Sequence, residues 1–167
     1  MAMESAVPKH LHDGTLVLKD GAGTPNTLTV PHCLGNYKLT GMKPAQRNVN
    51  KYESRASLVG IRKAGPSYPN LSFDWIFTGL SDATLETVYD FIMKRGSFAS
   101  NTSTTEAKGD AYTIDVEWTV DGTSLPDPDA ADHVLTAEDW APEVEVSEGE
   151  PNVFSASGEV LGTVSET

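Results

Sequence analysis

Residues 112–120 alternate without a fault. Tyr112, Ile114, Val116, Trp118 and Val120 fall on one side, and Thr113, Asp115, Glu117 and Thr119 on the other. Successive side chains leave a strand on opposite faces, so this pattern predicts a strand with one face buried and one wet. Residues 71–77 repeat it, with Leu71, Phe73, Trp75 and Phe77 on the apolar face. Such strands need a second apolar layer, which restricts the chain to packed sheets or a closed barrel. Residues 14–19 and 27–30 read as a hairpin around the turn-rich stretch 20–26, and residues 36–40 as a third strand. Short strands are expected over 133–136 and 142–146, and a long final strand over 154–164.

One segment breaks the period of two. Leu85, Val88, Tyr89 and Ile92 recur at helical spacing, with Ser81 as N-cap, Asp82 in the first turn, Lys94 and Arg95 in the last, and Gly96 as the stop. This predicts a single helix over about 82–95. Residues 41–70 fit neither pattern. Gly41, Pro44, Gly60, Gly65, Pro66 and Pro69 punctuate them, and only 56–61 looks strand-like. A long irregular segment in a compact chain is usually functional, and this one is read as an arm reaching outside its own subunit. The fold class expected is mainly β, an antiparallel β-sandwich or barrel with one flanking helix. The whole of 1–167 is read as one domain with an N-terminal arm over 1–12.

Charge separates the arm from the rest. Residues 1–73 hold nine bases and four acids, a balance of +5, while residues 74–167 hold three bases and twenty acids, a balance of −17. Six of the twelve bases lie in the arm: Lys43, Arg47, Lys51, Arg55, Arg62 and Lys63. A basic part and an acidic part on one chain suit head-to-tail self-association, which yields rings or filaments. With pI near 4.6 the whole protein is a poor phosphate binder. The spacing of Lys43, Arg47, Lys51 and Arg55 would suit a helical nucleic-acid stripe, but Pro44 and the Asn-rich 48–50 oppose a helix there, and only Tyr52 offers stacking.

Chemistry is sparse. Cys33 is the sole cysteine, so no intrachain disulfide is expected, and its neighbour His32 points to the other face of a strand. Asn101-Thr-Ser103 matches a glycosylation sequon, read as loop chemistry. No phosphate loop or nucleophile elbow is present. Asp115 and Glu117 share a strand face with glycosidase-like residue types, but solvated carboxylates are ordinary there. Asp127, Asp129, Asp132 and His133 gather hard donors that would suit calcium, without the EF-hand spacing. His10 and His12 have no visible partners for zinc. The first eight residues carry neither a basic nor an apolar leader region, and no apolar run approaches a membrane span. The reading is therefore not an enzyme, with no cofactor and no membrane partner.

The elements run in a definite order: an opening hairpin, His12-Asp-Gly-Thr-Leu-Val-Leu-Lys-Asp-Gly21, a long basic loop, one helix between strands, and two closing strands around Ser147-Glu-Gly-Glu-Pro-Asn152 and Ser155-Ala-Ser-Gly-Glu-Val-Leu-Gly162. This order resembles the major tail tube proteins of long-tailed bacteriophages. It spans roughly residues 12–164. The resemblance implies hexameric rings stacked into a hollow tube in the tail of a virion, assembled in the host cytoplasm. Other tail proteins would be partners, and genomic DNA would pass through without specific binding. The basic loop would bridge subunits. A passage for DNA should repel phosphate, so Asp74, Asp115, Glu117, Glu143, Glu145 and Glu159 are candidates for its lining. Two other readings compete. One is a capsid decoration or head–tail adaptor protein. The other is a monomeric β-sandwich ligand-binding module, whose signature would be exposed aromatics; Trp75 and Trp118 fall on apolar faces, leaving Trp140 as the exception.

Overall fold

The computed structural model describes residues 14–30, 37–77, 86–105, 109–120, 132–150 and 152–167. The elements are β1 (Gly14–Lys19), β2 (Thr27–Thr29), β3 (Lys38–Thr40), β4 (Arg47–Ser54), β5 (Ser57–Pro66), β6 (Asn70–Ile76), α1 (Val88–Ile92), β7 (Ile114–Val120), β8 (His133–Ser147), β9 (Val153–Val160) and β10 (Val164–Glu166). Eight strands join one sheet in the order β2-β1-β7-β8-β9-β6-β3, with β10 also on β8, and every pairing is antiparallel. The path ends at β2 and β3, so no barrel closes. The sheet instead folds over on itself. Tyr37, just before β3, stacks on Trp118 of β7 with ring centroids 5.0 Å apart, which brings the two wings face to face as a sandwich.

The long strand β8 makes that fold possible. Its first half pairs with β7 and β10, and its second half with β9. Between them the register slips, because Val116 lies opposite Ala137 but Ile114 opposite Trp140. Asp139 takes the extra position with φ 55, a left-handed conformation uncommon for a residue with a side chain. The freed Asp139 N–H donates to the Asp115 carboxylate at 2.9 Å. On the opposite edge the chain breaks in step: Leu161 N–H donates to Asp139 O at 3.0 Å, and Gly162 N–H to Glu138 O at 3.1 Å. The expected strands at 133–136 and 142–146 are thus one bulged strand. The bulge shifts the inward positions from odd to even numbers, so a single alternation cannot be followed through it.

The alternating residues behave as their pattern predicts. Leu71, Phe73 and Trp75 of β6, Ile114 and Val116 of β7, Leu16 and Leu18 of β1, and Phe154, Ala156 and Val160 of β9 are buried in one core. Trp140 is wholly buried beside Phe73, and its indole N–H donates to Gly158 O at 3.1 Å. A Cβ on Gly158 would stand 1.9 Å from Ala141 O, so only glycine lets β8 and β9 approach there.

The helix is shorter than its periodicity predicts. Residues 82–85, and Ser81 before them, lie outside the described residues. Thr87 is extended and caps α1: its hydroxyl accepts the Asp90 N–H at 3.2 Å and donates to the Asp90 carboxylate. The helix stops at Ile92 because Lys94 turns left-handed, with φ 51. Lys94 N–H returns to Phe91 O, and Arg95 N–H to Asp90 O at 2.9 Å, the bonding of a Schellman cap. Tyr112 OH donates to Phe91 O at 3.1 Å and ties the helix to the start of β7.

Candidate assembly surfaces

The greatest departure from expectation is the arm. Residues 47–66 are not an irregular loop. β4 and β5 pair from Arg47↔Pro66 to Ser54↔Ser57 as a separate two-stranded sheet. The two-residue turn is Arg55-Ala56, with φ 49 and 64. Left-handed conformation at both positions is the hairpin turn usually built from Asn-Gly, so these residues give no sequence signal for it. The root is fastened to the main sheet. Gln46 Nε2 donates to Gly162 O at 3.0 Å, Ser67 N–H to Gln46 O at 2.8 Å, and Val160 N–H to Pro69 O at 2.8 Å. Lys43 Nζ donates to Asn48 Oδ1 at 2.5 Å, and Asn48 Nδ2 to Pro66 O at 2.7 Å, which stiffens the base.

Beyond the root the described residues set no core against the hairpin, and almost every side chain along it is exposed. Arg47, Lys51, Arg55, Arg62 and Lys63 are all exposed along it. With Lys43 at the foot, all six predicted basic residues lie on this one projection. Three bases elsewhere have intramolecular work. Lys19 Nζ meets Glu117 Oε1 at 2.5 Å, Lys94 lies 5.1 Å from the Tyr112 ring centre, and Arg95 lies 5.7 Å from that of Tyr89.

Charge is only half of the arm's character. Among the described residues, seven of the ten large hydrophobic side chains that stand exposed fall between residues 42 and 68: Met42, Val49, Tyr52, Leu58, Val59, Ile61 and Tyr68. The strand register sets Val49, Leu58 and Ile61 on one face with Lys51 and Lys63. Sequence reasoning noticed the bases and missed these, because an apolar run ordinarily reads as core.

The six candidate acids separate into two groups. Asp74 of β6, Glu143 and Glu145 of β8 and Glu159 of β9 share the sheet face turned away from the core. Their rows run Glu145–Ser155–Asp74, Glu143–Ser157–Ser72 and Ala141–Glu159–Asn70. Serines fill most of the places between, and Lys38 is the one base on the neighbouring β3 row. Glu143, Glu145 and Glu159 are exposed and Asp74 is half-buried. The other two acids, on β7, are occupied within the fold. Glu117 pairs with Lys19, and Asp115 holds the bulge N–H. Burial, reinforced by the charges of Asp139, Glu138 and Glu117, pushes the Asp115 carboxyl above its ordinary value, against the lowering effect of its hydrogen bond.

Other sequence candidates find their places too. Trp140 is fully buried, so it offers no platform for a sugar ring. Asn101 is buried and donates to Tyr112 OH at 3.3 Å, which accords with a structural loop role. That loop is organised by buried Asp20, whose carboxylate accepts from Asn26 N–H at 2.7 Å and Thr102 N–H at 3.0 Å. His10, His12, His32, Cys33, Asp127 and Asp129 lie outside the described residues. No group of three metal-ligating side chains comes together among the described residues, and none of their helices is long and apolar enough to cross a membrane.

With this geometry in hand, the chain is similar to one in the cryo-EM structure of an extracellular contractile injection system, the PVC sheath/tube terminator in its extended state. The TM-score is 0.58 at 9% identity, covering 99% of each chain. A chain of the 6-fold symmetrised baseplate of the anti-feeding prophage aligns over 100% of this chain and 97% of its own, at 8% identity and a TM-score of 0.49. The first likeness shows a shared fold. No family model and no curated protein matches the sequence.

Proposed function

We propose that this protein is a structural subunit of a phage-tail-like particle, a single-domain chain that self-assembles into stacked hexameric rings around a hollow passage. The observation that carries the reading is the β4–β5 arm. A lone two-stranded hairpin is marginal in water, and this one has apolar side chains on an exposed face. It is built to be covered by another molecule. The strongly acidic remainder of the chain supplies an opposite charge, and the fold is one found in a tail-like machine.

In this reading Asp74, Glu143, Glu145 and Glu159 are the candidates to face the passage, where they would repel DNA phosphates. Asp115 and Glu117 serve the fold instead. Among the described residues the sheet ends at β2 and β3, which are short, as edges are when stray strand pairing is discouraged. Other tail proteins would meet the ends of the assembly in the particle, with no part for a membrane or a cofactor.

Negative-stain microscopy of the purified protein tests this. Hollow tubes or six-fold rings are expected, and the double substitution Arg47→Glu with Arg55→Glu should abolish them while circular dichroism stays unchanged. A monomer at every salt and protein concentration would sink the proposal. A second reading draws on the likeness to the terminator structure: a subunit that forms one capping ring and does not polymerise. Discrete rings without tubes would favour it. Trimers would favour the decoration or adaptor alternative.

A further inference from the structure

The arm ends in an apolar tip. Leu58 is 56% exposed and Val59 69%, the highest exposure of any large hydrophobic side chain described. Val59 is the extra residue of a bulge, since Tyr52 pairs with Gly60 but Glu53 with Leu58. Beside them is the Arg55-Ala56 turn. Two left-handed residues with side chains are strained, and such strain persists where surroundings or function require it. The tip therefore combines apolar surface and backbone strain with one guanidinium, Arg55, and one carboxylate, Glu53, which lies opposite Leu58.

At the other end of the arm lies a concave notch. The arm root lines one wall through Gln46, Arg47 and Tyr68, and the β8 bulge with the β9–β10 turn lines the other through Glu138, Leu161 and Thr163. Tyr68 is 46% exposed and Leu161 39%. Glu138 is exposed too, and its carboxylate accepts the Thr163 hydroxyl at 2.5 Å. The Gln46–Gly162 hydrogen bond forms the floor where root and turn meet. The notch offers two apolar side chains, the Glu138 carboxylate and the Arg47 guanidinium, which match the two apolar side chains, Arg55 and Glu53 of the tip.

The ladder itself decides whose notch the tip reaches. Eight residues at roughly 3.3 Å each hold the tip about 26 Å from the root. A paired hairpin does not double back over that length, so the tip cannot enter its own notch. We infer that the arm tip of one copy, Leu58 and Val59 flanked by Arg55, docks in the Tyr68–Leu161–Glu138 notch of a second copy. The contact joins different surfaces of the two copies, so it propagates head to tail and closes into a ring or continues as a stack. This inference rests on the self-assembly reading and adds the surface that receives the arm.

Disulfide trapping tests it on full-length protein in a Cys33→Ser background. Protein carrying Leu58→Cys is mixed with protein carrying Leu161→Cys, assembled, oxidised with glutathione disulfide and run on a non-reducing gel, with assembly followed by microscopy. Covalent dimer at least tenfold above either protein alone is expected. Leu58→Cys mixed with Glu143→Cys, on the acidic sheet face, is the control. Assembled particles in which the tip cross-links to position 143 and not to 161 would overturn the notch while leaving self-assembly standing. Cross-linking to 161 without rings or tubes would keep the contact and remove the ring reading. No particles and no cross-link would end both.

Discussion

The main sheet and the arm are both antiparallel β-structure, yet they stand for opposite reasons. In the sheet every strand has an inner face of Leu, Phe, Val or Trp against a shared core, and burial of each such side chain stabilises by roughly 1.5–3 kcal/mol. In the arm Val49, Leu58 and Ile61 line a face that stands exposed, with no core set against it among the described residues. The same residue types that hold the sheet together are, in the arm, free surface. The difference teaches that an apolar pattern announces a partner without saying whether it lies in the same molecule.

Four variants bear on that contrast. The largest effect on folding is expected from Trp140→Ala, which empties the centre of the core and leaves Gly158 O without its indole donor. The loss should be about 3–5 kcal/mol by urea unfolding. Gly158→Ala should cost about 1–3 kcal/mol, because its Cβ would press on the Ala141 backbone and β8 and β9 must separate. Unchanged stability would mean that the two strands do not meet as closely as described.

A smaller effect, visible in its pH dependence, belongs to Asp115→Asn. The folded-state carboxyl is raised above its ordinary value of 3.8, so ionisation disfavours the native state. That cost is absent below 3.8, grows as pH rises through the raised value, and is constant beyond it. Asn keeps an acceptor for the Asp139 N–H and carries no charge. Relative to the native protein, the variant should therefore gain stability as pH rises across that window, read as the difference between their unfolding midpoints at each pH. A difference that stays flat would remove the buried carboxylate from the account.

The smallest effect on folding is expected where the effect on assembly is greatest. Leu58→Ser with Ile61→Ser should change monomer stability by no more than about 0.5 kcal/mol, since these side chains touch no core. The same protein should fail to form rings or tubes by microscopy and elute as a monomer. A drop of several kcal/mol would mean that the arm belongs to the core after all, and the comparison between the two regions would collapse.

How far the sequence could be read follows the same line. The faces of β1, β6 and β7 were legible because their alternation is uninterrupted and their inner residues are large. The length of α1 was not, since Thr87 rather than Ser81 supplies the cap and Lys94 turns left-handed before Gly96. The acids on β6, β7, β8 and β9 looked equivalent in sequence. Only the register shows that Asp74, Glu143, Glu145 and Glu159 share one face while Asp115 and Glu117 are engaged by neighbours.

By itself the sequence determined that this protein is mainly antiparallel β-structure, a sandwich or a barrel, and that its bases and acids sit in different parts of the chain. Both follow from local facts, the period of two in a strand and the count of charges along it. Tertiary structure alone decided that β8 is one strand bent at Asp139, and that the basic segment is a ladder standing clear of the core. A bulge and an Arg-Ala turn depend on which strands meet and in what register, and that is settled only when distant parts of the chain pack together.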